Sequence, residues 1–435
     1  MKMNSLWMDT ARLPEFPRLE HGIKTDVLII GGGLAGILCA YFLEQSGIDY
    51  ALIESDRICG GISGCTTAKI TSQHGLIYSL LLQRFGAEWT RMYWEAHEGA
   101  LAEYRRLSQS IPCDFEEKDS YVYSVDRPER IEKELSALNQ IGCRAELASW
   151  LPLPFPMAGA VRFPRQAQFH PLKFAAGIAN GLHLYEKTAA RAFDGRGVLT
   201  DFGRITASKI IIATHFPLFN KHGAYFLKLY QHRSYVLALE GAPNLQGMYL
   251  DERDTGLSFR SYKNLLLLGG GSHRTGKQGG NWKELTAFAQ AHYPQAREKY
   301  RWAAQDCMTL DGVAYIGQYD KGTPDLYVAT GFNKWGMTSS MAAAMLLRDM
   351  VEGKKNPYAF LFSPSRSVLR PQLAVNAFEA AASLLTPSKP RCPHMGCALK
   401  WNPQEHSWDC SCHGSRFSAE GTLLDNPATG DLEQH

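Results

Sequence analysis

The sequence lacks the features that mark membrane proteins and nucleic-acid-binding proteins. The longest apolar runs, such as residues 265–268, have the length of a strand and fall far short of the roughly 18 residues of a transmembrane helix. Lys and Arg number 46 against 43 Asp and Glu, so the net charge of +3 favours no polyanionic partner. The N-terminal residues carry charges at Lys2, Asp9 and Arg12 instead of a continuous apolar signal segment. We therefore expect a cytoplasmic protein with no nucleic-acid partner and no transmembrane segment.

The composition is that of a globular enzyme with one unusual region. The 435 residues suffice for two or three domains, and 45% hydrophobic against 20% charged residues excludes global disorder. Four of the ten cysteines crowd between positions 392 and 412, whereas the others are scattered. In a long cytoplasmic chain such a cluster indicates metal or redox chemistry and not a disulfide scaffold.

Residues 25–54 predict a nucleotide-binding unit. A β-branched run at 25–30 precedes a glycine-rich turn, a helical pattern follows at 37–44, and 50–54 reads as a second strand. In this pattern Gly31 permits a tight turn, Gly33 lets a pyrophosphate approach the backbone, and Gly36 allows close packing of helix and strand. The alternative is an ordinary strand-turn-helix that happens to be rich in glycine.

An acidic residue at the end of the second strand restricts the nucleotide. The Glu54 carboxylate would accept a ribose 2′-hydroxyl and repel a 2′-phosphate, which favours FAD or NAD over NADP. A second glycine-rich stretch at 269–276 has the wrong spacing and lacks a following helix. We therefore expect no separate NAD domain and no reduction by NADH.

Three further segments, 60–70, 306–316 and 329–340, resemble the D-amino-acid-oxidase-like FAD-dependent oxidoreductases. The resemblance extends through most of residues 25–350 and implies FAD as the cofactor. In that family the late glycine-rich turn directs a helix N-terminus at the flavin. The resemblance adds these cofactor-binding candidates to the three glycines and Glu54: Thr67, Gly331, Gly336 and Met337.

The same resemblance implies oxidation of a C–N bond in a small-molecule amine or amino-acid substrate. Arg260 and His273 lie on the strand-rich segment that relatives use for substrate, and Arg260 could bind a carboxylate, although both could equally be structural. His74, His170 and Lys334 have no assigned role, and His170 could simply begin a helix. We predict no catalytic residue.

The cysteine cluster contains two short boxes, C-x-H at 392–394 and C-x-x-H at 410–413, which resemble those of a Rieske 2Fe-2S domain. The resemblance implies Cys392 and Cys410 on one iron and His394 and His413 on the other. It also implies a disulfide between the two remaining cysteines of the region, Cys397 and Cys412. Zinc is the alternative, but roughly two to four residues usually separate its paired ligands, and only one residue separates Cys392 from His394.

Two neighbouring residues and the length of the module matter for such a cluster. Ser415 could donate to a cluster sulfur, and Phe417 stands where many relatives carry Tyr, which removes one donor. Rieske domains normally place several strands before the first box, but here residues 386–391 alone connect the linker helix to Cys392. The module therefore needs the cluster and docking on the rest of the protein for stability, unless its fold is degraded and the cluster unstable.

Together these observations predict an α/β protein with three parts. A doubly wound FAD-binding domain comprises 1–75, 190–216 and 301–365, an inserted α+β substrate domain comprises 76–189 and 217–300, and a linker helix at 366–391 leads to a shortened all-β Rieske module at 392–435. We expect a dehydrogenase that passes electrons from flavin through the cluster to an unidentified acceptor. The alternatives are an oxygen-using amine oxidase with a vestigial cluster and a non-catalytic redox sensor.

Overall fold

Two large sheets and one small sheet organise the protein. The structure is a computed structural model that describes residues 5–195, 197–219, 222–367, 369–387 and 390–433. The strands are, in chain order, β1 (Ile23–Ile30), β2 (Tyr50–Ile53), β3 (Lys69–Ile70), β4 (Glu116–Ser124), β5 (Glu146–Ala148), β6 (Gly159–Gln168), β7 (Leu184–Tyr185), β8 (Ala190–Phe193), β9 (Gly197–Thr200), β10 (Gly203–Ile212), β11 (Leu229–Glu240), β12 (Met248–Asp251), β13 (Ser258–Tyr262), β14 (Leu265–Arg274), β15 (Arg297–Thr309), β16 (Tyr315–Gln318), β17 (Leu326–Thr330), β18 (Leu399–Asn402), β19 (Ser407–Cys410), β20 (Arg416–Ser418) and β21 (Leu423–Asp425).

The helices pack on the faces and at the ends of these sheets. They are α1 (Leu6–Thr10), α2 (Leu34–Gln45), α3 (Tyr78–Leu107), α4 (Pro128–Gln140), α5 (Pro171–Ala179), α6 (Tyr225–Lys228), α7 (Trp282–His292), α8 (Gly336–Val351), α9 (Ala359–Phe362) and α10 (Pro371–Leu385). No helix in the described ranges is both long enough and apolar enough to cross a membrane.

The first sheet is the predicted doubly wound sheet. Its strands follow the order β16-β17-β10-β1-β2-β7, and β1, β2, β7, β10 and β17 run parallel. Strands β2 and β17 and residues 27–30 of β1 are buried, as expected for a parallel sheet that is covered on both faces, and α2 and α8 pack against each other. The carboxyl ends of β1, β2, β10 and β17 consequently meet at one edge.

The second sheet is largely antiparallel and has nine strands. Its order is β15-β11-β14-β13-β12-β4-β6-β3, with β5 paired to β6. Strands β11 and β14 are rich in Val and Leu and form the apolar centre of this sheet, against which α7 packs. The predicted substrate domain corresponds to this sheet together with α3 and α4.

Strand pairing places three segments differently from the predicted domain boundaries. Residues 301–309 were assigned to the FAD-binding domain, but they belong to β15, which pairs with β11 of the second sheet. Residues 171–185 were assigned to the substrate domain, but α5 packs on α2 and β7 pairs with β2. Residues 69–70 form β3, which pairs with β6 of the second sheet. The choice of sheet is a long-range property that the local pattern does not carry.

The small sheet, β18-β19-β20-β21, forms the C-terminal module. In the described part of the chain its four strands all follow Cys392, as predicted for a shortened module. The predicted linker helix 366–391 forms only over Pro371–Leu385, because Pro371 occupies its first turn and Thr386 is extended. Positions 368, 388 and 389 of that prediction lie outside the described residues.

Candidate active site

The glycine-rich turn after β1 has the tight geometry that the sequence predicts. Gly31 has a φ of +111°, and a Cβ atom there would lie 2.8 Å from the Ala213 carbonyl oxygen. A Cβ atom on Gly36 would lie 1.9 Å from the Gly31 carbonyl oxygen, so α2 packs directly on the turn. Gly33 is the N-cap of α2, and the atom nearest to its Cβ position is the Ser63 hydroxyl at 3.4 Å. Side chains are therefore excluded at Gly31 and Gly36, while Gly33 keeps open the space before the helix.

The Glu54 carboxylate stands beside this turn, just after β2. Its Oε2 accepts a hydrogen bond from the Gly32 amide at 2.7 Å, and its Oε1 accepts one from the Asp56 amide at 2.9 Å. Backbone donors thus fix the orientation of the carboxylate next to the α2 N-terminus. This arrangement suits recognition of a ribose hydroxyl near a bound pyrophosphate.

A second turn, between β17 and α8, faces the same space. Gly331 has a φ of +69°, and a Cβ atom there would lie 2.3 Å from the Thr309 methyl carbon. The Asn333 side chain accepts a hydrogen bond from the Thr309 amide at 2.8 Å, which fixes the loop to β15. The helix α8 then begins at Gly336, so its free N–H groups are available at this edge.

A cavity of about 1550 Å³ joins these two turns and extends to the second sheet. Seven of the eight predicted cofactor-binding residues line it: Gly31, Gly33, Glu54, Thr67, Gly331, Gly336 and Met337. The eighth, Gly36, lies behind the first turn. The cavity exceeds the roughly 300–1,000 Å³ of most small-ligand sites, and its two helix N-termini and carboxylate fit FAD with room for a substrate.

Arg260, a candidate for binding the substrate carboxylate, has a structural role instead. Its guanidinium is fully buried and donates to the carbonyl oxygens of Thr67 and Ala68 at 2.6 and 2.7 Å. Burial lowers its pKa to about 9. Arg260 thus holds the backbone of the segment just before β3. The sequence could not reveal this contact, because Arg260 lies 193 and 192 positions from the residues that it bonds.

Two predicted histidines also have structural contacts. His273 stacks on Tyr235, with ring centroids 5.7 Å apart, and its Nδ1 pairs with the Gly271 carbonyl at 3.1 Å. His170 caps α5 by accepting from the Lys173 amide, in agreement with the reading of a helix-start residue. Neither belongs to the cavity lining.

Two of the unassigned residues, His74 and Lys334, do line the cavity. The His74 ring stacks on Trp335 at 4.9 Å, and burial lowers its pKa well below the usual value, so the ring is neutral. The Lys334 ammonium donates to the Ser272 hydroxyl at 2.7 Å. Sequence reasoning missed Asp306 on β15, whose pKa burial raises to about 6; the available signal was that it is the single charged residue between positions 302 and 309.

The two cysteine boxes meet in the C-terminal module. Cys392 and Cys410 are buried beside each other, and the rings of His394 and His413 lie 4.9 Å apart at 88°. The buried Nδ1 of His413 has no hydrogen-bond partner among the described atoms, and burial, aided by Arg274, lowers the His413 pKa to about 4. A buried pair of thiols and a close pair of imidazoles in the same module, one imidazole with a neutral ring and an unused nitrogen, fit a 2Fe-2S cluster.

The predicted disulfide is not formed. Cys397 and Cys412 are both free thiols, and their Sγ atoms lie with that of Cys410 within a group no more than 4.8 Å across. The two thiols are therefore close enough to pair only after a small movement. Ser415 contacts the Cys392 sulfur and accepts from the Ala428 amide at 3.0 Å, while Phe417 is fully buried in the module core.

A buried ion network fixes the module to the second sheet. Arg233 of β11 pairs with Glu405, whose carboxylate also accepts from Arg416 at 2.9 Å and from the Tyr235 hydroxyl at 3.1 Å. Arg416 also pairs with Asp425 at 2.9 Å. Burial alone would raise the Glu405 pKa, but Arg233 and Arg416 outweigh it and lower the value to about 2.

Comparison with known proteins assigns most of the chain to one family and its C-terminal module to another. The family described as FAD dependent oxidoreductase (DAO) matches residues 26–350, and the Rieske [2Fe-2S] domain family matches residues 379–435. The chain belongs to the DAO family of FAD-dependent oxidoreductases. Its C-terminal module is a Rieske domain, so the cofactors are FAD and a 2Fe-2S cluster, and the zinc alternative is wrong.

Individual relatives support this assignment over most of the chain. The Rieske 2Fe-2S iron-sulfur protein YhfW of Bacillus subtilis (strain 168) is 33% identical over 98% of this chain and 96% of its own length. Gamma-glutamylputrescine oxidoreductase of Escherichia coli (strain K12) is 24% identical over 78% of this chain and 86% of its own. The crystal structure of glycine oxidase from Geobacillus kaustophilus has the same fold, with a TM-score of 0.67 and 20% identity over 79% of this chain and 99% of that protein.

Proposed function

We propose that this DAO-family oxidoreductase is a dehydrogenase that oxidises a C–N bond of a small amine or amino acid and passes the electrons from FAD to the Rieske cluster. Bound FAD supplies hydride acceptance, and the cluster supplies one-electron transfer to an acceptor of unidentified nature. The residues proposed to bind FAD are Gly31, Gly33, Gly36, Glu54, Thr67, Gly331, Gly336 and Met337. Those proposed to bind the cluster are Cys392, His394, Cys410 and His413.

One observation carries the proposal: the Rieske module forms part of the wall of the flavin cavity. The contributing residues are Leu423, Leu424, Asp425, Asn426, Ala428 and Thr429. The Asn426 amide donates to the carbonyl oxygens of Thr214 and Phe216 at 2.7 and 3.1 Å, directly after β10 of the first sheet. The buried Phe216 ring in turn lies 6.4 Å from the rings of both His394 and His413. The loop after β10 therefore touches the cavity on one side and the cluster ligands on the other, which supports a direct electron path.

Different groups of the chain would contact the cofactor and the substrate. The N–H groups at the start of α2 would hold the pyrophosphate of FAD, and those at the start of α8 would favour negative charge beside them. Beside the β17–α8 turn, Lys334 and Asp306 would provide opposite charges that suit the carboxylate and ammonium groups of an amino acid. The neutral His74, held by the Tyr93 hydroxyl at 2.6 Å, orients Trp335 at the start of α8.

The test is anaerobic mixing of the holoenzyme with a panel of amines and amino acids, followed by optical and EPR spectroscopy. A substrate should bleach the flavin and then produce the signal of the reduced Rieske cluster within the same turnover. Bleaching without cluster reduction, together with peroxide formation in air, would instead identify an oxidase with a vestigial cluster. A flavin that no panel member bleaches would favour a redox sensor.

We also propose a cytoplasmic location. The six cysteines outside the module are free thiols, and five of them are buried: Cys39, Cys59, Cys113, Cys143 and Cys307. Reduced cysteines of this kind are typical of a reducing compartment. Fractionation of cells that express the tagged protein would test this assignment.

A further inference from the structure

The second cluster-ligand loop, residues 410–415, is held by side chains from outside its own module. Arg274 of β14 donates through Nε to the carbonyl oxygen of Ser411 and through Nη2 to that of Cys412, both at 3.0 Å. Its Nη1 donates to the Asn376 side chain of α10 at 2.9 Å. One guanidinium thus joins the second sheet, the linker helix and the ligand loop.

The next two carbonyl groups of the loop are held by glutamines. Gln231 of β11 donates to the carbonyl oxygen of His413 at 2.9 Å, and Gln305 of β15 donates to that of Gly414 at 2.9 Å. Both glutamines are only 1% exposed. Four consecutive carbonyl oxygens, from 411 to 414, therefore each accept a hydrogen bond from the second sheet. We call Arg274, Gln231 and Gln305 the carbonyl clamp.

At the carbonyl clamp, the second sheet packs closely against the ligand loop. Its members lie on β14, β11 and β15, which are adjacent strands with β11 in the middle. A Cβ atom on Gly276 would lie 2.6 Å from the Ser411 nitrogen, and one on Gly414 would lie 2.6 Å from the Gln231 Cβ. Glycine is needed on both surfaces because the sheet and the loop approach so closely.

The clamp also reaches the flavin cavity. The Gln231 side-chain oxygen pairs with Nε2 of His215 at 3.1 Å, and His215 lines the cavity. The same glutamine amide group donates to the Asn426 carbonyl at 2.9 Å. Gln231 therefore links the cavity wall, the ligand loop and the segment of the module that borders the cavity.

From these contacts we infer that the carbonyl clamp sets the reduction potential and the position of the cluster, so that the second sheet tunes the Rieske centre. A cation beside the ligand loop favours the state with one more electron, and hydrogen bonds orient the carbonyl dipoles toward the sheet. The nearby Glu379 carboxylate acts on Arg274 and is itself paired with the Lys277 ammonium at 2.5 Å, so the net charge of these three groups stays positive. The inference rests on the proposed cluster ligands and deepens the proposed electron path.

The experiment is an EPR-monitored redox titration, with mediators, of the cluster in the holoenzyme. Arg274→Gln should lower the midpoint potential of the cluster, whereas Arg274→Lys, which keeps the charge, should remain closer to the wild type. Gln231→Met keeps the packing against Gly414 but removes the donor, and it should give a smaller decrease. Arg301→Gln on β15 is the matched control, because that guanidinium pairs with Glu298 of its own strand.

The outcomes separate this inference from the proposed function. Wild-type potentials and EPR spectra in every cluster-loaded clamp variant would overturn the inference. If Arg274→Gln loses the cluster, the midpoint potential and EPR spectrum of Gln231→Met test the inference in its place. Mediated titration does not need substrate. Shifted potentials in a protein whose flavin never reduces the cluster would therefore support the clamp and contradict the proposed electron path.

Discussion

The two ligand loops of the Rieske module are held in different ways. The first loop, residues 392–397, closes on itself through the bond from the Cys392 amide to the Cys397 carbonyl at 2.8 Å. It is otherwise held by Arg391, which donates to the carbonyls of Thr386 and Gly396 at 2.8 Å. The second loop is held by the carbonyl clamp of a distant sheet.

The ligand histidines differ accordingly. His413 of the second loop is 4% exposed, whereas His394 of the first loop is half-buried and lines a separate cavity of about 480 Å³ with aromatic residues such as Phe193 and Phe219. The second loop is thus attached to the second sheet, whereas the first loop lies on the more open side of the module.

Alanine substitutions at Gly414 and Gly396 test the difference between the two ligand loops, and we expect them to have the largest effect. Gly414 and Gly396 both have positive φ, +88° and +76°, so alanine costs about 1–2 kcal/mol of backbone strain at either position. Only at Gly414 would the added Cβ also clash, because the atom nearest to a Cβ on Gly396 is a Leu384 methyl at 3.9 Å. Gly414→Ala should lose most of the cluster, and Gly396→Ala should retain it, as measured by iron and acid-labile sulfide. Equal retention by both variants would contradict the asymmetry.

The ion network should have the next largest effect. Glu405→Gln removes the carboxylate shared by Arg233 and Arg416 and leaves two buried cations underpaired, which costs about 3–5 kcal/mol. We expect the module to become susceptible to limited proteolysis and to unfold at lower denaturant concentration. Glu420→Gln, at an exposed carboxylate of the same module, is the control. A resistant Glu405→Gln variant would show that the network does not hold the module.

The same carboxylate predicts a pH dependence. The pKa of Glu405 is lowered from 4.5 to about 2 in the folded protein, so its stabilisation is complete above pH 4.5 and is lost as the pH falls toward 2. Proteolysis of the module with an acid-stable protease should therefore accelerate across this range in the wild type. In Glu405→Gln the acceleration should be weaker, and an identical pH profile in both proteins would assign the dependence to other groups.

The two remaining thiols of the module should have the smallest effect. Exchanging both Cys397 and Cys412 for Ser removes the capacity to form a disulfide but no proposed iron ligand. The cluster should assemble and be lost more readily under oxidising conditions, with little change under reducing ones. Cluster lifetimes by optical decay test this; unchanged lifetimes under oxidising conditions would show that the pair never acts as a disulfide.

Features that depend on spacing within one short segment could be predicted from the sequence. The turn at Gly31, Gly33 and Gly36 and the two cysteine boxes are local patterns; the structure has a tight turn at the first and brings the histidines of the two boxes together. Contacts between distant segments could not be predicted. Arg260 bonds a carbonyl 193 positions away, and Gln231 bonds one 182 positions away, and no local periodicity records such pairs.

The position of residues 423–429 in the cavity wall has a consequence for biosynthesis. Chains emerge from the ribosome N-terminus first, and early segments begin to fold before later ones exist. The turn at residues 31–36 and the second sheet are therefore made well before the segment that completes their cavity. We therefore expect FAD to bind before the module docks, because the cavity lacks this wall until residues 423–429 are in place.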